Sequence, residues 1–300
     1  MLWLAGLMGL VAVGAVGVID MAPAEDDETT ADVKIDTDDG PTEAETLTVG
    51  SENDDTLAGT GGDDTLHGEE GADTLSGDSG DDSLHGEDGS DLIAGGDGAD
   101  DMYGENDDDT LDGGADNDEL HGGTGDDILL GGDGDDAAHG GLGDDSLNGG
   151  AGQDTLFGGW GNDVINGIVD DPNTETLDDT DDTDYLNGGG GNDVIAAGND
   201  DTVTAGAGAD TVITGDWINE GSAPSIMDFD TEEDNILLIY DDAEAVPDVA
   251  LQLNPDDPSI TQVMMNGITV ANVTNGSDIS IEDIAVMPLG LALSTGMAPR

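Results

Sequence analysis

The chain of 300 residues carries 73 Asp and Glu residues against two basic residues, so its net charge at pH 7 is −71. Because so negative a chain repels phosphate groups along its whole length, nucleic acid is excluded as a partner. The absence of Cys excludes disulfide bonds and thiolate metal sites.

Residues 2–19 form an apolar run of 18 residues, close to the shortest length of a membrane-spanning helix. The Ala-Pro-Ala sequence at residues 22–24 resembles a signal-peptide cleavage site, although no Lys or Arg precedes the run. The alternative is a helix buried against the rest of the chain. We predict an apolar helix that serves as a membrane or export segment over residues 1–20, with membrane contact through residues 2–19. An acidic linker is predicted over residues 21–49.

Residues 50–166 divide into thirteen tandem blocks of nine residues without an insertion. Position 1 of each block is Gly and position 6 is Asp in all thirteen, and position 8 is large and apolar in twelve, Ala138 being the exception. So strict a period argues against a disordered acidic run. The position-6 residues, our candidate metal ligands, are Asp55, Asp64, Asp73, Asp82, Asp91, Asp100, Asp109, Asp118, Asp127, Asp136, Asp145, Asp154 and Asp163.

The residue types in each block suit a hard divalent cation, which takes six to eight oxygen ligands from carboxylates and carbonyls. Glycines at positions 1 and 4 are predicted to adopt left-handed conformations that aim backbone carbonyls inward. The Asp at position 6 would direct its carboxylate to the same place. Positions 7 to 9 are predicted to be extended, with position 8 on the face opposite to positions 7 and 9.

Some blocks depart from this pattern. Asn53, Asp107 and Asp116 replace Gly at position 4, and since Asn and Asp tolerate left-handed turns, these loops are expected to form. We expect lower metal affinity, and not its loss, where position 2 is not Gly. Those position-2 residues are Ser51, Thr60, Glu69, Asp78, Glu87 and Glu105.

The pattern G-G-x-G-x-D-x-U-x resembles the RTX (hemolysin-type) calcium-binding nonapeptide repeat. The resemblance implies an all-β fold, a right-handed parallel β-roll (β-solenoid) with two repeats per turn. Several Ca²⁺ ions would lie between the turn loops of repeats n and n+2. Asp55 would share an ion with Asp73, and the last of eleven such pairs would be Asp145 with Asp163. Eleven ions would supply 22 positive charges, less than a third of the deficit.

The implied pairing sorts the position-8 residues into two columns. One sheet would contain Leu57, Leu75, Ile93, Leu111, Leu129, Leu147 and Ile165, and the other Leu66, Leu84, Met102, Leu120, Ala138 and Leu156. One large apolar side chain per nine residues is too little to offset the conformational entropy lost on ordering those residues. Metal binding and folding are therefore expected to be one event.

The repeat pattern breaks after Gly167 and then returns. Residues 167–183 form an acidic insertion, predicted to be a surface loop, and residues 184–213 form a second short repeat block. This block adds Asp193, Asp201 and Asp210 as candidate metal ligands.

Apolar runs in residues 214–288 predict strands, with a hairpin turn at Asn266-Gly267. Since a solenoid end exposes unpaired backbone, we predict that this region is a C-terminal β cap. Residues 226–230 and 234–238 are similar to the segment that follows the repeats in secreted serralysin-like proteins, which implies a secretion region. Residues 289–300 are predicted to be a mobile tail.

RTX proteins pass unfolded through type I secretion machinery, so the resemblance implies a secreted, extracellular protein that folds on binding Ca²⁺ outside the cell. Retention at the cell surface by the N-terminal segment stays open. One alternative is a cell-surface-anchored adhesin or structural spacer, and another is the non-catalytic module of a secreted hydrolase. We expect no enzyme, because H-E-x-x-H, G-x-S-x-G and P-loop motifs are absent and only 49 residues precede the repeats.

All four histidines, His67, His85, His121 and His139, occupy position 9 of even-numbered repeats. With Tyr103 and Phe157 they are predicted to form one outward column, spaced about 4.8 Å apart like neighbouring strands. The column is either two transition-metal or ligand-binding pairs or a cross-strand aromatic ladder. We favour the ladder, because imidazole pairs without a third ligand bind metals weakly.

Overall fold

The computed structural model describes residues 35–36, 45–169, 179–180, 183–241, 245–274 and 279–295. The predicted apolar helix, most of the predicted linker and most of the predicted insertion lie outside these residues. Within the described ranges, no helix has the length and apolarity needed to cross a membrane.

The described chain is almost entirely β-structure. The first strands are β1 Ile35–Asp36, β2 Thr46–Val49, β3 Thr56–Ala58, β4 Thr65–Glu70, β5 Thr74–Ser79, β6 Ser83–Asp88, β7 Leu92–Asp97, β8 Asp101–Asn106, β9 Thr110–Ala115, β10 Glu119–Thr124, β11 Ile128–Asp133, β12 Ala137–Leu142 and β13 Ser146–Ala151. The next are β14 Thr155–Trp160, β15 Val164–Gly167, β16 Tyr185–Gly190, β17 Val194–Ala197, β18 Thr202–Ala207 and β19 Thr211–Gly215. The last are β20 Ser225–Ile226, β21 Asn235–Tyr240, β22 Val249–Leu253, β23 Ile260–Met265, β24 Ile268–Thr274 and β25 Ile284–Pro288. A 3₁₀ turn, Ile281–Asp283, precedes β25, and α1 follows it at Leu289–Thr295.

The strands form two sheets that face each other as a parallel β-solenoid. One sheet has the order β1-β2-β4-β6-β8-β10-β12-β14-β16-β18-β20-β24-β23-β22, and the other β25-β21-β19-β17-β15-β13-β11-β9-β7-β5-β3. Strands two apart in the chain pair in parallel at a register of 18 residues, as in Leu66 with Leu84 and Leu57 with Leu75. Two repeats therefore make one turn, as predicted.

The strands are longer than the sequence pattern indicates. A typical strand such as β4 has six residues and continues from position 7 through position 3 of the next repeat. Its alternating burial places positions 8 and 1 inward and positions 7 and 9 outward. β2 occupies the end of the stretch predicted as linker, so the solenoid begins at Thr46.

The core consists of two columns of position-8 side chains, and both predicted columns are confirmed. Most of these side chains are fully buried, and the most exposed, Leu57 at the first turn, is 7% exposed. The columns continue beyond the first repeat block, since Ile165 pairs with Ile195 and Leu156 with Leu186. They reach the C-terminal region through Ile236 and other residues of the last strands.

The two predicted repeat blocks form one continuous solenoid. β14 pairs directly with β16 and β15 with β17, although Thr155 and Tyr185 are 30 residues apart in the chain. The twelve extra residues between β15 and β16 therefore interrupt the pairing of neither sheet.

The C-terminal end carries the predicted β cap. β22, β23 and β24 extend one sheet with antiparallel pairs, and β25 closes the other. Asn266 and Gly267 adopt φ values of 54° and 87°, which confirms the tight hairpin turn. The prediction of a mobile tail from residue 289 is wrong for its first part, because α1 forms there and buries Ala292 completely.

Candidate metal sites in the solenoid turns

The predicted position-6 aspartates are all buried in the turns. The thirteen of the first block and Asp193, Asp201 and Asp210 of the second are between 0% and 6% exposed. Aspartate is seldom so buried unless a partner compensates its charge. The hydrogen-bond partners of the two carboxylate oxygens therefore determine whether this burial is compensated.

One carboxylate oxygen links neighbouring turns. Oδ1 of Asp73 accepts a hydrogen bond from the backbone N–H of Asp55 at 2.6 Å, and Oδ1 of Asp145 accepts one from Asp127 at 2.9 Å. All eleven predicted aspartate pairs are joined in this way. The structure thus joins aspartates two repeats apart by a hydrogen bond, and the ion that each pair would share stays a prediction.

The other carboxylate oxygen has no donor. Among the described residues, fourteen aspartates have a buried Oδ2 atom that accepts no hydrogen bond. They are Asp73, Asp82, Asp91, Asp100, Asp109, Asp118, Asp127, Asp136, Asp145, Asp154, Asp163, Asp184, Asp193 and Asp210. An unpaired buried carboxylate oxygen is costly, and a proton or a bound cation would remove that cost in these fourteen turns.

The position-1 glycine marks the place where such a group would fit. A Cβ atom added to Gly77 would lie 2.1 Å from Oδ2 of Asp82 and 2.7 Å from the carbonyl oxygen of Gly95. The same arrangement recurs at Gly122, with Asp127 and Gly140. A carboxylate oxygen and a carbonyl oxygen from successive turns therefore border the same small space.

The φ values show that the predicted positions of the left-handed residues are partly wrong. From the third repeat onward the left-handed residues are at positions 2 and 4, as in Gly123 (φ 113°) and Gly125 (φ 148°), and not at positions 1 and 4. Position 1 requires Gly for space, since any Cβ there would collide with the two oxygens. Asp107 and Asp116 adopt left-handed φ values of 71° and 75°, so those position-4 loops form as expected.

Burial and neighbouring carboxylates raise the pKa values of these aspartates. Burial, assisted by the charges of Asp127 and Asp91, raises the pKa of Asp109 to about 8. Burial and the charge of Asp201 raise the pKa of Asp184 to about 9. The metal-free turns therefore favour protons or another cation over free carboxylates.

In the first two repeats the second carboxylate oxygen has protein donors, as it also does in Asp201, where Oδ2 accepts from the N–H of Gly198 at 2.6 Å. Oδ2 of Asp55 accepts hydrogen bonds from the N–H (2.6 Å) and the hydroxyl (2.8 Å) of Ser51. Oδ2 of Asp64 is satisfied in the same manner by Thr60. Protein donors already occupy these oxygens, so these two turns differ from the fourteen above, and the lower affinity expected at them stays a prediction.

Two further aspartates join the same hydrogen-bond series and were not predicted. Asp184 accepts from the N–H of Asp154 at 2.8 Å, and Asp234 accepts from that of Asp210 at 3.1 Å. Asp184 could have been found, because Tyr185 and Leu186 follow it as positions 7 and 8 of a repeat. Asp234 carries only a weak signal, since it lies 24 residues after Asp210 instead of 18.

The turns lack the side-chain clusters of metalloenzyme centres. In the part of the chain that the structure describes, no group of three or more His, Cys, Asp or Glu side chains converges as metal ligands. Each turn instead combines carboxylate oxygens with backbone carbonyls. Such a site depends on backbone geometry, which explains the strict demands on glycine.

The histidine column forms the predicted ladder. The rings of His67 and His85 stack at 4.7 Å with planes 7° apart, and those of His121 and His139 at 5.3 Å and 13°. Tyr103 stacks between the two pairs, 4.7 Å from His85. Imidazole lone pairs lie in the ring plane, so parallel rings direct them side by side and not toward a shared ion. This geometry favours the aromatic ladder.

Comparison with known proteins gives one family and a distant structure. No curated protein matches the chain. The solution structure of the AlgE6R3 subunit from the Azotobacter vinelandii mannuronan C5-epimerase is 20% identical, with a TM-score of 0.23, over 48% of this chain and 78% of that one. The model of the RTX calcium-binding nonapeptide repeat (4 copies) matches more than half of the chain. The matched residues are 49–84, 76–111, 103–138, 112–146, 139–167, 171–212 and 198–216.

Proposed function

The chain belongs to the RTX calcium-binding nonapeptide repeat family, and we propose that its solenoid folds by binding several Ca²⁺ ions in its turns. The buried Oδ2 atoms without donors carry this proposal. The position-6 aspartates from Asp55 to Asp163, with Asp193, Asp201 and Asp210, would hold the ions together with backbone carbonyls. Asp184 and Asp234 extend the set, because they continue the same hydrogen-bond series.

The chemistry of the turns favours calcium over other metals. The two atoms nearest to the space beside Gly77 or Gly122 are oxygens, one from a carboxylate and one from a backbone carbonyl. Zinc and copper prefer nitrogen and sulfur ligands. Magnesium retains several water molecules in a strict octahedron, whereas calcium accepts many protein oxygens in flexible geometry.

Folding and metal binding are coupled in this proposal. Each strand between β4 and β14 buries one position-8 side chain in the core, while each turn buries a carboxylate. Without a cation, carboxylates from adjacent turns repel one another at close range. An ion that binds only the folded turns stabilises them by mass action.

The low free Ca²⁺ of a cytosol would then keep the repeats unfolded, and extracellular Ca²⁺ would fold them. We propose secretion in the unfolded state, with type I secretion machinery as the partner and residues 214–288 as the region that it recognises. We propose a binding role without catalysis. Membrane contact through residues 2–19 stays a prediction. Mass spectrometry of the mature protein would separate a released from an anchored form by showing whether residues 1–24 are retained.

Far-UV circular dichroism of the full chain during a Ca²⁺ titration tests the coupling. We expect an unordered spectrum in EDTA and a cooperative gain of β-structure at millimolar Ca²⁺, with no such gain in Mg²⁺. A chain that is already rich in β-structure in EDTA would contradict the proposal. Isothermal titration calorimetry in the same buffer would count the ions.

A further inference from the structure

Positions 7 and 9 on the outer face of one sheet carry almost no charge, whereas exposed Asp78, Asp97 and Asp133 lie at positions 2 and 3 of its strands. Positions 7 and 9 of β3, β5, β7, β9, β11, β13 and β15 place fourteen side chains on this surface, which we call the neutral face. Only Asp112 among them is charged. The corresponding face of the other sheet contains Asp101, Glu119 and the histidine ladder.

Exposed aliphatic side chains recur on every second strand of the neutral face, on β7, β11 and β15. Leu92 is 50% exposed, Ile128 45% and Val164 49%, and Leu130 beside Ile128 is 36% exposed. β-branched and aliphatic residues on a flat sheet are typical of a surface that another sheet covers. The neutral face therefore has the composition of an interface.

Large and small side chains alternate along this face. Leu92 pairs with Thr110, Thr110 with Ile128, Ile128 with Ser146, and Ser146 with Val164 on successive strands. Each aliphatic side chain is thus followed by a Thr or Ser on the next strand. The result is a row of ridges about 9.6 Å apart, two strand spacings, with a gap between each pair.

We propose that the neutral face binds the neutral face of a second copy of this chain. A two-fold axis parallel to the strands, midway between two neighbouring strands, would reverse the order of the strands in the second copy. Each aliphatic side chain would then lie over a Thr or Ser of the other copy. The ridges of each face fit the gaps of the other, and the contact is isologous.

Charge and composition favour a second copy over other occupants. The opposing neutral face brings one charge per copy, Asp112, into the contact, whereas most other surfaces of the chain are acidic. The face has no aromatic side chain at positions 7 and 9, so it lacks the stacking platform typical of sugar recognition.

The size of the face indicates a weak dimer. Seven strands at about 4.8 Å spacing give a face roughly 34 Å long, and three residues give a width of roughly 12 Å with side chains. An axis midway between two strands overlaps six of the seven strands, so the two faces bury about 700 Å² together. This area is below the roughly 1,200 Å² of a stable interface and corresponds to a weak, transient contact. Repulsion between the acidic turns of the two copies opposes association, so added salt is expected to strengthen it.

Sedimentation velocity over a range of protein concentrations tests the proposal with the full Ca²⁺-loaded chain at high and low salt. We expect reversible dimerisation that strengthens with salt. A triple variant, Leu92→Thr, Ile128→Thr and Val164→Thr, removes the ridges and should weaken association by about tenfold or more. The matched control is Leu142→Thr, which changes a 53%-exposed aliphatic side chain on the other sheet and should leave dimerisation unchanged.

A second variant distinguishes association through interlocking side chains from association through apolar surface alone. Thr110→Leu with Ser146→Leu fills the gaps while it makes the face more apolar, so interlocking faces should associate more weakly. Stronger association of this variant would overturn the proposal. A monomer at all concentrations, or a triple variant that dimerises as strongly as the parent, would also overturn it. Circular dichroism of each variant in Ca²⁺ confirms folding and keeps this test separate from the calcium proposal.

Discussion

The repeats and the C-terminal cap stabilise neighbouring parts of the same sheets by different means. A repeat strand such as β11 buries one large apolar side chain, Leu129, whereas β21 in the cap buries four in succession, Ile236 to Ile239. The cap also buries Trp217, whose indole N–H donates to the carbonyl of Ala197 at 3.2 Å. The repeats instead bury a carboxylate in nearly every turn. Burial of apolar area therefore supports the cap, and in the function proposed above Ca²⁺ takes that role in the repeats.

A change of pH is expected to have the largest effect on the stability of the repeats relative to the cap, because the aspartates of many turns change their protonation together. Burial raises the pKa values of Asp82 to about 7, Asp109 to about 8 and Asp145 to about 7 in the metal-free fold. A raised pKa stabilises the fold below the unfolded value, near 4, and this stability is lost as the pH rises through about 7 to 8.

In EDTA, lowering the pH from about 8 to about 5 should therefore increase the β-structure of the repeats. With Ca²⁺ present the sign should reverse, because protons then compete with calcium for the same oxygens. Circular dichroism against pH in both buffers measures this. The same pH dependence with and without Ca²⁺ would refute it.

Loss of one turn carboxylate should be the largest single-residue effect. Asp127→Asn in the middle of the roll is expected to lower the free energy of unfolding in Ca²⁺ by about 3–5 kcal/mol, because it removes one partner from a buried charged site. Thermal or denaturant unfolding at fixed Ca²⁺ measures the change. Asp133→Asn, which removes the same charge from an exposed position, is the control and should change stability by less than about 0.5 kcal/mol.

Shortening one buried side chain in the cap should destabilise the protein and leave its calcium binding nearly unchanged. Leu238 is fully buried, and Leu238→Ala is expected to cost about 3 kcal/mol through lost burial and a residual cavity. The apparent Ca²⁺ affinity of the repeats far from the cap should change little. Calorimetric titration of this variant beside Asp127→Asn measures the difference, and an equal loss of affinity in both would erase the proposed distinction.

Two glycine substitutions, one in a repeat turn and one in the cap hairpin, are expected to have the smallest effects on stability. In Gly122→Ala the new Cβ would lie 2.4 Å from Oδ2 of Asp127, so we expect a loss of about 2–3 kcal/mol and weaker Ca²⁺ binding. Gly267 in the cap hairpin has no atom within 4 Å of a new Cβ, but its φ is 87°. Gly267→Ala should therefore cost only about 1–2 kcal/mol, from backbone strain, with unchanged Ca²⁺ binding.

The sequence period predicts most of the solenoid. Two nine-residue repeats set the 18-residue register, and this register places Leu66 beside Leu84 and Asp55 beside Asp73. The role of each glycine could not be predicted, because Gly appears in a sequence both where φ must be positive and where a Cβ has no space. Gly122 illustrates only the lack of space, whereas the adjacent Gly123 combines a φ of 113° with a carbonyl oxygen 2.3 Å from an added Cβ.

Where the nine-residue period changes, the sequence pattern no longer predicts which strands and which aspartates pair. The direct pairing of Tyr185 with Thr155 spans the insertion and depends on contacts that are distant in the chain. Asp234 accepts the hydrogen bond from Asp210 although only positions 6 to 8 of the repeat motif surround it, in Asp234-Asn235-Ile236. The strand that follows, β21, pairs in parallel with β19 as a repeat strand does. α1 was missed because its seven residues contain no charged residue to indicate a cap or a solvent-exposed face.

Hydrogen exchange followed by mass spectrometry, in Ca²⁺ and in EDTA, tests the dependence of the repeats on calcium most directly. It reports the repeats and the cap separately in the same molecule. Peptides from residues 65–160 should be strongly protected in Ca²⁺ and should exchange at the rate of an unfolded chain in EDTA, with protection restored when Ca²⁺ is added back. Protection of these peptides in EDTA equal to that in Ca²⁺ would contradict the claim that a cation must support the repeats.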